Sequence, residues 1–193
     1  MNEVELIRAQ LAAERRHAAE VANACASALE AAAVPGGTSD PALGEFCQAC
    51  VDYLVWVLTR FEQRDQILSD VFHSRLATDN EARRALDELL TRPGKSRDAL
   101  AKLEVALSSA SGRATAAASG KRWHEFTEFF DGVWSARRDA LDRLFERYAR
   151  VADWRAVCAI DADSILEERG RYANARGKLP AGIELRAAGA SST

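Results

Sequence analysis

Residues 41–76 read PALGEFCQACVDYLVWVLTRFEQRDQILSDVFHSRL. Leu43, Cys47, Cys50, Leu54, Leu58, Phe61, Leu68 and Phe72 recur at steps of three and four, which places them on one face of a single long helix. The next step after Phe61 lands on Asp65, so a carboxylate interrupts an apolar stripe. Such a group must be paired, hydrogen-bonded, metal-bound or protonated. The stretch therefore specifies a bundle helix and marks the place in it where chemistry or a buried ion pair has to be accounted for.

The same periodicity extends in both directions. A helix is expected from about Asn2 to Ala33, stopped by Val34-Pro35-Gly36-Gly37, with Val4, Ile7, Leu11, Ala18, Ala22, Cys25 and Leu29 on its apolar face. Asp40-Pro41 is a cap and first-position signal for the helix already quoted. Thr78 or Asp79 caps a short helix that ends at Arg92-Pro93-Gly94, and Ser96 caps another that fades in the Ser/Ala/Gly stretch 108–120. A long helix is expected at 121–150, with Trp123, Phe126, Phe130, Val133, Trp134, Leu141, Leu144 and Tyr148 on one face. A last one, capped by Asp153, carries Trp154, Cys158, Ile165 and Tyr172. No stretch alternates as a strand does. The fold expected is all-α: an antiparallel four-helix bundle over residues 1–177, with a short helical crossover insert at about 78–119 and a disordered tail at 178–193.

Polar residues interrupt these stripes repeatedly. Arg137 falls near the centre of the stripe at 121–150, Asp161 and Glu168 lie near the line of the last helix, and Glu14 and Arg15 flank the gap between Leu11 and Ala18. Up-down packing puts Glu14 and Asp65 at similar heights. Three readings stand: a buried ion-pair network, chiefly Asp65 with Arg137 or Arg138; a ligand or metal pocket built from Glu14, Asp65, Asp161 and Glu168, with Arg137 in the same layer; or helix phases that turn these charges to water.

Other chemistry is thinner. Glu14-Arg15-Arg16-His17 has a Glu-x-x-His spacing, but His17, His73 and His124 each fall roughly 100–120° from the apolar centre of their helices, on flanks or in solvent. No metal site and no cofactor are expected. Cys47-Gln48-Ala49-Cys50 lies well inside a helix, where core packing is the first reading and thiol redox chemistry a further one. No phosphate loop, dinucleotide fingerprint or hydrolase elbow occurs, and no catalytic residue is assigned. Trp56, roughly opposite the stripe and beside Val55, marks contact with the insert or with a partner chain.

Composition sets the outer bounds. Apolar residues make up 48% of the 193, enough to bury a core. The 26 basic and 29 acidic residues leave a net charge of -3, which gives no electrostatic reason to expect nucleic acid. The start is acidic and amphipathic, and the most apolar window, Val51 to Leu58, is short of a membrane span. Four cysteines in a chain of this size fit reduced thiols in a cytoplasm.

The segments RFEQRDQIL (60–68) and WSARRDAL (134–141) give the layout a resemblance to the hemerythrin-like four-helix bundles. They sit where that family carries its His-x-x-x-Glu and His-x-x-x-His ligands. The resemblance implies that Asp65 occupies the carboxylate slot. It also implies that the di-iron centre is gone: Phe61 stands where a His is wanted, Ser135 and Asp139 replace the paired His, and the last helix has none. The function expected is non-enzymatic, a protein-binding or scaffold role as a homodimer or with a protein partner. The alternative is a metal- or small-ligand-binding bundle that uses the charged layer.

Overall fold

In the computed structural model the two amphipathic runs at the start of the chain become α1 (Glu3–Ala33) and α2 (Pro41–Phe72). The structure describes residues 2–33, 41–73, 75, 76, 78–84, 86, 87, 98–102, 104, 105, 119–128, 144, 147–158 and 162–185. Two further helices follow, α3 (Val151–Cys158) and α4 (Ala162–Gly177). One helix was expected after Asp153; α3 and α4 are the described parts of that run, with 159–161 outside the described residues. The protein is all-α, and no strand occurs among the described residues.

Local chemistry explains the helix starts. Asn2 and Glu5 form a reciprocal capping box: the Glu5 N–H donates to Asn2 Oδ1 at 2.9 Å and the Asn2 N–H donates to Glu5 Oε2 at 2.8 Å. Asp79 accepts the Ala82 N–H at 3.0 Å and opens the short helical stretch that follows. Asp153, in the first turn of α3, reaches back to the Arg150 N–H at 2.7 Å and also takes the Arg75 guanidinium. Those two hydrogen bonds, with the Arg75 charge, hold its carboxyl below the ordinary carboxylate value against the opposing effect of burial.

Contacts fix the directions of the helices. Glu14 meets Arg64 and Cys25 meets Cys47, so α1 and α2 run antiparallel. His17 meets Glu168 and Glu20 meets Tyr172, so α4 runs parallel to α1. Tyr53 meets Glu168 and Glu45 meets Lys178, so α4 is antiparallel to α2. α2 is the central helix, packing on α1, α3 and α4. Its buried face is accordingly wider than one stripe, adding Phe46, Tyr53 and Val57 to the line of Leu54, Leu58 and Phe61.

The apolar core divides into two clusters. One gathers Ala18 to Leu29 of α1, Phe46 to Phe61 of α2, Leu100, Trp123 and Phe126. The other gathers Phe72, Leu76, Leu86, Leu144 and Trp154, with Val4, Ile7 and Leu11 of α1 against them. Between the two lie Glu14 on α1 and Arg64 and Asp65 on α2, all buried. Trp123, fully buried, donates its indole N–H to the Ala22 carbonyl at 2.7 Å and ties the helical stretch 119–128 to α1.

Two expectations look different in three dimensions. The tail expected from 178 onward is described as far as Leu185, and Leu179, Ile183 and Leu185 rest on the larger cluster. The apolar window Val51–Leu58 was read as short of a membrane span; α2 around it is, over Ala42–Phe72, long and apolar enough to cross a membrane by length and composition alone. Half of its most apolar 18-residue window is buried inside the fold.

Candidate functional site

Glu14 and Glu168 are among the largest fully buried side chains of the described protein, a position carboxylates almost never take without partners. Glu14 is held by Arg64. The two guanidinium nitrogens donate to its two oxygens at 2.6 and 3.2 Å, a bidentate fork, and Gln10 Nε2 adds a longer contact at 3.4 Å. The Arg64 guanidinium also lies 5.7 Å from the Phe61 ring centroid. Both charges are out of water, so each depends on the other.

Glu168 is held differently. Tyr53 donates its hydroxyl to Glu168 Oε1 at 2.7 Å, and His17 Nδ1 approaches the same oxygen at 2.9 Å. The imidazole stacks on Tyr172, with centroids 4.0 Å apart and planes 14° apart, and the Tyr172 hydroxyl donates to Glu20 at 2.6 Å. Burial pushes the Glu168 carboxyl up, but the hydrogen bonds from His17 and Tyr53, with the positive charge of His17 and Arg169, outweigh it and hold the group below its ordinary value. Burial, the Glu168 charge and the hydrogen bond to it push the Tyr53 phenol well above its ordinary value. Burial and the Glu20 carboxylate raise Tyr172 to about 12.

This arrangement docks α4. Ser164, Glu168 and Ala175 are its buried residues, so apolar area contributes little and the polar contacts carry much of the attachment. A group whose folded pKa is lowered contributes stability that is complete above its unfolded value, near 4.5 for Glu168, and is lost as pH falls through the folded value. Glu168→Gln is therefore expected to lower stability by about 1–3 kcal/mol near neutral pH. The gap between wild type and variant should shrink on acidification from pH ~5 downward. Urea unfolding of both proteins across that range checks it; a gap unchanged in acid contradicts it.

The structure brings together some of the residues marked in the sequence. Glu14 and Glu168 are buried and held by side chains of the chain, and Asp65, 3% exposed, lies beside Arg64 at the level of Glu14. Arg137, Arg138 and Asp161 lie outside the described residues. Three members were missed. Arg64 is the partner of Glu14. Its signal was that a step of three from Phe61 reaches Arg64 as naturally as a step of four reaches Asp65. Tyr53 sits on the second edge of the wide α2 face. His17 does take a flank position, yet its ring reaches inward to Glu168 and keeps 18% of the side chain exposed.

On the outer side of α2, Trp56 lies under two guanidinium groups, those of Arg60 and Arg171, at 5.0 and 5.6 Å from its ring centroid. These three side chains line an open groove of about 510 Å³ with Asp52, Val55 and Glu104, the last from the expected insert. Cys47 and Cys50 are buried in the larger apolar cluster. Among the described residues, no group of three or more His, Cys, Asp or Glu side chains is arranged to hold a metal ion. Comparison with known protein families, with curated proteins and with solved structures gives no match.

Proposed function

We propose that this chain is a cytoplasmic, non-enzymatic helical bundle that works by binding a protein partner or a second copy of itself. One observation carries the reading: the buried carboxylates Glu14 and Glu168 are held by side chains of this same chain, Glu14 through both oxygens and Glu168 through Oε1, as structural ion pairs are. The layer then serves to set the register of α1, α2 and α4 between two apolar clusters. The overall arrangement proposed is an antiparallel four-helix bundle, with 121–150 as the remaining long helix and 78–119 as the crossover insert. It is a hemerythrin-like layout in which the di-iron ligands are replaced by the ion-paired layer.

Binding would then use the outside. The face around Trp56, with Val55 40% exposed beside it, joins an aromatic anchor to arginine, the residue types enriched where protein surfaces meet. The purified chain is expected to show a concentration-dependent rise in mass by light scattering. Trp56→Ala with Val55→Ser should weaken that association at least about 10-fold while leaving helical circular dichroism unchanged. Association that the double variant leaves untouched excludes this face.

A second reading keeps the charged layer as a metal or small-ligand site, because His17 gives it one edge at the surface. Elemental analysis separates the two: about one or two ions per chain, lost on Asp65→Ala, favours the second.

A further inference from the structure

Three of the four cysteines of the chain converge at one place in the larger apolar cluster: Cys25 from α1, and Cys47 and Cys50 from α2. Cys25 Sγ lies 3.6 Å from Cys47 Sγ and donates its S–H to it. The C-x-x-C motif of α2 thus gains a third thiol from a different helix, which the sequence did not place there. We propose that Cys25 and Cys47 form a reversible disulfide that staples α1 to α2, with hydrogen peroxide as the oxidant.

The geometry supports this pair in three ways. Disulfide formation needs the sulfurs to close to about 2.05 Å, a movement of roughly 1.5 Å that side-chain rotation shares between two facing helices. The S–H donated by Cys25 is the largest influence on Cys47 and pushes its thiol down, while burial pushes Cys25 up, so Cys47 is the nucleophile and Cys25 the resolving thiol. A helical side chain leans over the turn before it. For Cys47 that turn contains Gly44, an exposed residue with nothing within 4 Å of where a Cβ would stand, so the cover over this thiol is thinnest there.

The chemistry balances in two steps. Cys47 sulfur attacks the peroxide: an S–O bond forms, the O–O bond breaks, and the thiol proton leaves with the departing oxygen as water. Cys25 sulfur then attacks the Cys47 sulfenic acid: the S–S bond forms, the S–O bond breaks, and the hydroxyl leaves with the Cys25 proton as a second water. Two thiols are oxidised and one peroxide is reduced.

The test treats the purified full chain with hydrogen peroxide, alkylates the remaining thiols after unfolding, and maps peptides without reductant. Cleavage after glutamates places Cys25 in 21–30 and Cys47 with Cys50 in 46–62. The expected result is a loss of about 2 Da per chain and a 21–30 to 46–62 cross-link, both reversed by dithiothreitol. Cys50→Ser should keep the cross-link, and Cys25→Ser should abolish it and leave a sulfenic acid on Cys47 that dimedone traps. A bridge within 46–62, a bridge between chains, or full alkylation of all three thiols in peroxide-treated wild type overturns the proposal. The wild-type map decides even where a variant folds poorly.

Discussion

Glu14→Ala is expected to destabilise the protein by about 3–5 kcal/mol, because it leaves the Arg64 guanidinium buried without its bidentate partner. For a domain whose whole stability is of the order of 5–15 kcal/mol, that is a large part of the total. The cost arises from stranding a charge, not from losing an attractive pair, so Arg64→Ala should be comparably harmful through Glu14. Replacing both residues by apolar ones, Glu14→Leu with Arg64→Met, should recover most of the loss, since neither partner is then left as a stranded charge between the two apolar clusters. Urea midpoints of the singles and the double check this. Singles that cost less than about 0.5 kcal/mol, the range of ordinary surface substitutions, contradict the description of the layer.

Trp123→Ala is the other large effect, also about 3–5 kcal/mol. Trp123 is fully buried, meets Phe126 edge-on with ring centroids 5.9 Å apart, and hydrogen-bonds the Ala22 carbonyl. Truncation removes that anchor and opens a cavity against α1 where the stretch 119–128 docks. Trp123→Phe keeps much of the ring volume and loses the hydrogen bond, so it should cost about 0.5–1.5 kcal/mol from that bond plus a smaller packing loss. A Phe variant as damaged as the Ala variant would show that the N–H contact, not the packing, holds this stretch.

α1 and α2 were legible in the sequence because their apolar residues repeat at helical spacing for more than eight turns; the Asn2–Glu5 capping box at the start of α1 was not read there. Glu14 and Glu168 were legible as interruptions, since a carboxylate on an apolar line demands an explanation. The partners were harder to read. α2 packs on three helices, so its buried face is wide enough to take in both Arg64 and Asp65, and a single stripe drawn at a step of four found only Asp65. Tyr53 escaped for the same reason. His17 escaped because phase describes where a Cβ stands, while an imidazole on the flank can still turn inward toward Glu168. The docking of α4 had almost no apolar signature, because its attachment is concentrated in one buried carboxylate and the tyrosine a turn beyond. Cys25 meeting Cys47 depends on the register between α1 and α2, which no spacing within either helix encodes.

Whether the paired, buried charge layer holds α1 and α2 in register is read from a Glu14–Arg64 double-mutant cycle. The wild type, Glu14→Ala, Arg64→Ala and the double Glu14→Ala with Arg64→Ala should give a coupling energy of at least about 1.5 kcal/mol, within the range for contacting residues of a buried network. Single-variant effects that add to within about 0.3–0.5 kcal/mol would mean that the two side chains act independently, and would contradict the account.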